Sequence, residues 1–266
     1  GTMHLIGEER RRELLAFIEG KEITYECGGS APNTLVTLAL FGEKVRLAGK
    51  VGRDEYGSLY ARRLSALSID GALPTCEAPT GTSIILVTPD SERTMNTYLG
   101  ANRRFSPEDV AEEEVRAADY LYFAGYMWDT ENQKNGVMKA IEVAGKAGGR
   151  VVFDLADPFA VSRNRETFLR LVRDHADIVF ANGEEARILF DNYDPGECAK
   201  SLGNLCSTAL VKDGARGSYV FSGGQLTHIP VRPVRAVDST GAGDTYSAGF
   251  LLGLLRGLSH AESARL

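Results

Sequence analysis

Short runs rich in β-branched and aromatic residues alternate with longer amphipathic segments along most of this chain, and that alternation narrows its fold more than any other feature. Residues 45–48, 120–124, 151–154, 178–181, 208–212 and 219–222 read as strands. Between them, residues 106–117, 133–147 and 241–255 read as helices, and Ser106-Pro107-Glu108-Asp109 supplies a cap, a first-turn proline and early acidic side chains. Strands joined by crossover helices run parallel, and the helices cover both faces of the sheet. The expected fold class is α/β, with a mainly parallel sheet in three layers. The 43% hydrophobic content of 266 residues is ample for one core. No repeat, low-complexity tract or Pro/Gly/Ser linker divides the chain, so residues 1–266 read as a single domain.

One stretch breaks the alternation. Residues 81–88 and 94–99 are extended runs joined by Pro89-Asp90-Ser91-Glu92-Arg93, the pattern of an antiparallel hairpin. With the short run 23–26 it is expected to form a small sheet, a lid built from about residues 21–27 and 79–100. Such covers exclude water from a reacting centre.

The 36 acidic and 30 basic residues give a net charge of -6, and the densest basic run is only Arg10-Arg11-Arg12. Nucleic acid and anionic membranes are therefore not expected partners. No apolar stretch approaches the roughly 20 residues that span a bilayer, and Gly1-Thr2-Met3-His4 shows no secretion pattern, so the expected setting is cytoplasmic. Cys27, Cys76, Cys198 and Cys206 lack C-x-x-C spacing and neighbouring histidines, which argues for reduced thiols rather than a zinc site or disulfide. His4, His175, His228 and His260 are scattered and read as structural or surface residues.

The most informative segment is Val237-Asp238-Ser239-Thr240-Gly241-Ala242-Gly243-Asp244-Thr245, followed at once by the small and apolar stretch Tyr246-Ser247-Ala248-Gly249-Phe250-Leu251-Leu252. Glycines at a helix start let successive amides point at one spot, where the helix dipole adds roughly half a positive charge. Gly241, Ala242 and Gly243 thus read as an anion hole, which would stabilise the charge of a phosphoryl group in transfer. Asp244 is expected to face the same spot and to accept the proton of an attacking alcohol. The structural alternative is a glycine turn in which Asp244 merely favours the helix N-terminus. A P-loop is excluded by the lack of G-x-x-x-x-G-K-[ST], and a dinucleotide fingerprint by the missing third glycine and the late position.

Asp238-Ser239-Thr240-Gly241-Ala242-Gly243-Asp244 resembles the C-terminal motif of the ribokinase-like (PfkB) carbohydrate kinases. Gly28-Gly29-Ser30-Ala31-Pro32-Asn33-Thr34 resembles their N-terminal motif, in the same order and at the same separation. The likeness runs from about Met3 to the end of the chain. Glu92-Arg93-Thr94-Met95-Asn96-Thr97-Tyr98-Leu99-Gly100-Ala101-Asn102 points to the adenosine-kinase-like branch. The resemblance implies a Rossmann-like, ribokinase-like fold. It also implies transfer of the γ-phosphoryl group from ATP, with Mg²⁺, to a primary hydroxyl of a sugar or nucleoside, adenosine or ribose first, with Asp244 as base.

It further implies that Gly28 and Gly29 approach the sugar and that Asn33 binds its hydroxyls; from the residues alone, the glycines are a turn into a helix capped by Ser30. Gly49-Lys50-Val51-Gly52-Arg53-Asp54-Glu55-Tyr56-Gly57 matches the family's continuation, in which Asp54 either faces the sugar or caps the next helix. Asn182-Gly183-Glu184-Glu185 resembles the N-x-x-E that places Glu185 near Mg²⁺ through water and Asn182 near ATP, and it is equally a capping box. Val211-Lys212-Asp213-Gly214-Ala215-Arg216-Gly217 resembles the nucleotide-side strand and turn, with Lys212, Gly214 and Gly217 near ATP; a surface lysine is the other reading of Lys212. Asp238 and Thr240 would offer oxygens to a monovalent cation such as K⁺. Phe159, Tyr126 or Trp128 is either a base slot or core packing.

The family's opening strand has no counterpart before Met3, and its adenine-pocket segment none beyond Ser259-His260-Ala261-Glu262-Ser263-Ala264-Arg265-Leu266; both are expected to be missing from the sequence. Exposed hairpin edges tend to be covered, so a homodimer through the lid is a further expectation. Two rival readings remain: a catalytically silent sugar- or nucleoside-binding regulator on the same fold, and a dinucleotide-dependent oxidoreductase.

Overall fold

The computed structural model describes residues 2–88, 93–232 and 239–266. Its first strands are β1 (Thr2–Leu5), β2 (Arg46–Ala48), β3 (Val51–Gly52), β4 (Asp70–Ala72), β5 (Thr75–Cys76), β6 (Thr82–Val87) and β7 (Arg93–Tyr98). The later ones are β8 (Tyr120–Ala124), β9 (Arg150–Asp154), β10 (Ile178–Asn182), β11 (Thr208–Lys212), β12 (Ser218–Ser222) and β13 (Gln225–Ile229). The helices are α1 (Glu8–Ile18), α2 (Ser30–Leu40), α3 (Glu55–Ala66), α4 (Glu112–Arg116), α5 (Glu131–Ala147), α6 (Pro158–His175), α7 (Gly183–Phe190), α8 (Pro195–Gly203), α9 (Ala242–Leu255) and α10 (His260–Ser263).

The main sheet has the order β13-β12-β11-β10-β9-β8, parallel from β8 to β11 and antiparallel across β12 and β13. It is therefore mixed. The strand β13, which the sequence reading does not include, returns through Gly223 and Gly224, both at positive φ as a two-residue hairpin turn requires. The central strands read as unbroken apolar runs because both faces are covered. Val151, Phe153, Val179, Ala181, Ala209 and Val211 pack with α5 to α8, while Val152, Ile178, Phe180, Leu210 and Val220 pack with α2, α9 and α10. Phe153 stacks on Phe123 at 4.7 Å and meets the edge of Phe168 at 5.0 Å. Each such fully buried side chain contributes roughly 1.5–3 kcal/mol.

Three expectations are corrected. Residues 23–26 form no strand: β7 already has β6 antiparallel on one side and β1 parallel on the other, with Met3 opposite Met95, so the third strand of this small sheet is β1. Residues 106–117 are not one helix. Val110 is extended (φ -79, ψ 112), and the Asp109 carboxylate turns back onto Ser106 and Lys50, which closes a 3₁₀ turn at Pro107–Asp109 before α4. Finally, β2 pairs with β4 in a separate two-stranded sheet, not with the main sheet. The joint of the hairpin, residues 89–92, lies outside the described residues.

Candidate active site

Two glycines bring the site together. Gly241 has φ +73, a left-handed conformation that side chains rarely adopt, and it turns the chain into α9 with Asp244 in the first helical turn. The first-turn amides of Gly243 and Asp244 meet no backbone carbonyl among the described residues, so they remain available to an anion. Gly29, at φ +115, does the same for α2: it is the residue preceding the helix, and a Cβ there would press on the Pro32 ring at 3.1 Å. Ser30 is consequently the first helical residue and not the cap. Its hydroxyl is spent elsewhere, donating to Asp244 Oδ1 at 2.7 Å. Asn33 Nδ2 donates to Asp244 Oδ2 at 2.8 Å, and Thr34 Oγ1 reaches the Asp244 carbonyl at 3.3 Å.

Burial raises the Asp244 carboxyl above the usual carboxylate range, and the hydrogen bonds from Asn33 and Ser30 pull it part of the way back. A carboxylate so held, beside these two amides and at the edge of a cleft, can take a proton from a hydroxyl while the amides receive charge on phosphate oxygens. The cleft has a volume of about 2980 Å³ and also borders Gly28, Gly29, Asn182, Glu185, Lys212 and Gly214.

The floor of the site is charged and buried. Lys212 is no surface lysine: its side chain is 16% exposed, and Nζ lies 3.3 Å from Asp154 Oδ2 and 3.5 Å from the Gly243 carbonyl. Glu185, 1% exposed, accepts from the Asn182 amide at 2.8 Å and from Asn182 Nδ2 at 2.6 Å, a capping box whose carboxyl nonetheless borders the cleft. Burial and the Asp154 charge push Glu185 up to about 7, against the pull of Lys212. Asp54 is occupied: it caps α3 through the Gly57 amide at 2.9 Å and holds Thr80 through its amide at 2.8 Å and its hydroxyl at 2.6 Å. Gly217, at φ +96 with the Ile229 carbonyl against it, shapes the turn into β12 and does not border the cleft.

Comparison with known proteins decides the family. Residues 2–266 match the model described as pfkB family carbohydrate kinase. The chain belongs to that family. Among solved structures, this PfkB kinase is similar to the adenosine kinase from Sinorhizobium meliloti (36% identity, TM-score 0.91, 99% of this chain and 81% of that one). It is also similar to a fructokinase of Klebsiella pneumoniae (29% identity over 246 residues, 89% of this chain and 80% of the relative). A 5-dehydro-2-deoxygluconokinase of Shouchella clausii is 27% identical over 266 residues, 93% of this chain and 79% of the relative. The fold is ribokinase-like α/β, and the chain is a sugar or nucleoside kinase of a family that uses ATP and Mg²⁺.

Other positions in this PfkB kinase fall as follows. Arg93, at the start of β7, donates to the Thr240 hydroxyl, so the small β1-β7-β6 sheet touches the glycine turn, a contact with no local mark in the residues. The sequence reading did not single out Asp154, Tyr122 or Ser247, since each lies inside an apolar strand or helix where only the fold reveals the others. Asp238 lies outside the described residues. Of the aromatic candidates, Trp128 is 7% exposed and packs edge-on against Phe168, Phe159 is 68% exposed, and Tyr126 borders the cleft. No described helix is long and apolar enough to cross a membrane. The four cysteines are free.

Proposed function

We propose that this PfkB kinase transfers the γ-phosphoryl group of Mg-ATP to a primary hydroxyl of a nucleoside or ribose-like sugar, with adenosine the first acceptor. The observation that carries the reading is the Asp244 carboxylate, aimed by Ser30 and Asn33 beside the Gly243 and Asp244 amides, which meet no backbone carbonyl among the described residues. In this reading Asp244 takes the hydroxyl proton as that oxygen forms its bond to the γ-phosphorus. The bond from phosphorus to the bridging oxygen breaks, and ADP leaves with the electron pair. The amides of Gly243 and Asp244, set by the turn at Gly241, supply the anion hole, whereas the Ala242 amide is turned to the Ser239 carbonyl at 3.2 Å and takes no part in it; Gly28, Gly29 and Asn33 bound the acceptor, and Lys212, Gly214 and Asn182 lie toward ATP. Asp54 is assigned to the frame: it caps α3, holds Thr80 and is not among the residues that border the cleft.

The residues suit Mg²⁺. This hard cation keeps several waters and takes other ligands from phosphates, and Glu185 offers one carboxylate whose oxygens already accept from Asn182, so contact through water is the natural mode. When bound, Mg²⁺ neutralises phosphate charge. Comparing turnover in K⁺ and in Na⁺ tests whether Asp238 and Thr240 offer oxygens to a monovalent cation. Exposed Ile85 and Val87 on the outer lid strand β6 support a homodimer through the lid, which sedimentation tests directly. Free cysteines agree with a cytoplasmic setting, which is part of the same proposal.

ADP release with Mg-ATP across adenosine, other nucleosides, ribose, fructose and their phosphates tests the reading. Turnover strongest with adenosine supports it, and turnover strongest with a hexose moves the substrate to the sugar branch. No observation favours the silent regulator or the dinucleotide oxidoreductase.

A further inference from the structure

The Asp154 carboxylate at the end of β9 is the most densely bonded buried charge of the site. One oxygen, Oδ2, receives the Tyr122 hydroxyl at 2.9 Å, faces the Ser247 hydroxyl at 3.1 Å and pairs with Lys212 Nζ at 3.3 Å; the other receives the Ala156 amide at 3.1 Å. The side chain is 2% exposed. Three of these contacts lead to the glycine turn. Ser247 stands 3.0 Å from the Gly243 carbonyl, Lys212 Nζ lies 3.5 Å from the same carbonyl, and Tyr122 meets Thr34, whose hydroxyl reaches the Asp244 carbonyl. The carboxylate thus sits beneath the start of α9, touching it directly at Ser247 and indirectly through Lys212 on β11 and through Tyr122 on β8 by way of Thr34.

We propose that Asp154 is a positioning residue for phosphoryl transfer: it anchors Lys212 and Ser247 under Gly243, fixing the glycine turn and the charge balance around Asp244. This rests on the kinase reading. A bare carboxylate at this depth would be strongly unfavourable, and the ammonium of Lys212 compensates it. The pair then acts on Asp244 with opposite signs, Asp154 raising its proton affinity and Lys212 lowering it. Other titratable groups facing this region are Glu185 on α7, Tyr122 on β8, Tyr126 after it and Asp157 ahead of α6. Because the pair is held rather than mobile, it keeps the amides aimed without reorganisation during transfer.

The test is the pH dependence of kcat and KM for wild type, Asp154→Asn, Lys212→Met and Ser247→Ala, with folding followed by circular dichroism. Asp154→Asn is expected to lower kcat by about tenfold to a hundredfold, the scale of a misplaced catalytic group, while KM for the acceptor changes little. Its acid limb should move to lower pH, and that of Lys212→Met to higher pH. A merely structural role moves neither limb in opposite directions. Ser247→Ala, which strands no charge, is expected to lower kcat with the limb in place. If the charge variants do not fold, unchanged kcat in Ser247→Ala overturns the proposal. An active wild type with unaltered kcat and limb in Asp154→Asn overturns it too and leaves the kinase reading standing, whereas a wild type silent with every acceptor overturns both.

Discussion

Asn33 and Asp244 stand 211 residues apart in the chain, yet the Asn33 amide donates to the Asp244 carboxylate at 2.8 Å. Ser30 holds the other oxygen, so α2 grips both sides of the acid that begins α9. The packing of these two helices, and not the local turn alone, sets the direction of the carboxylate.

Replacing Asp244 with Asn removes the proton acceptor and keeps the shape. Turnover should fall by about 10²- to 10⁴-fold, the general-base contribution, with the thermal midpoint at neutral pH close to that of wild type. Folding withstands the change because burial already disfavours the charged acid. ADP release and calorimetry check the two halves, and wild-type turnover would remove Asp244 from the mechanism.

Asn33→Ala should shift the acid limb of kcat/KM to higher pH. The Asn33 bond favours the ionised form of Asp244, so its loss raises a carboxyl that burial has already raised. The base must be ionised, and activity is therefore lost first at the acid end. A loss uniform across pH, with raised KM, would instead place Asn33 on the acceptor alone.

Asp54→Ala should lower stability by about 1–3 kcal/mol, from the lost cap of α3 and the stranded amide of buried Thr80. Urea unfolding measures this. The kcat/KM of the folded enzyme should change little, and a large rise in KM would return Asp54 to the acceptor site.

Glu185 gives a pH signature in stability. Its folded carboxyl is pushed up to about 7 from an ordinary 4.5, so the native state holds a proton that the unfolded chain releases. Stability is full below the ordinary value and declines as pH rises toward the folded one, by on the order of 3 kcal/mol. Urea melts between those two values should show the decline in wild type and a flatter profile in Glu185→Gln. Equal slopes would mean that the carboxyl is ionised throughout.

Much of the frame was legible in the residues. Strands β8 to β12 follow from unbroken apolar runs, because a sheet covered on both faces imposes that composition strand by strand. The glycine turn and Asp244 were legible for a similar local reason, since a left-handed residue ahead of a helix requires glycine. Pairing across long separations carries no such local mark. That β1 rather than residues 23–26 completes the small sheet depends on which edge of β7 is free, and that β2 joins β4 depends on how the α3 crossover packs. Ser30, read as a cap, turned out to hold the acid; Lys212, open to either face, turned inward to Asp154. Chain-local chemistry specified which groups exist and where helices begin, whereas the partners of each buried charge followed from packing, because desolvation leaves a charge to be compensated by whatever the fold brings within about 3 Å.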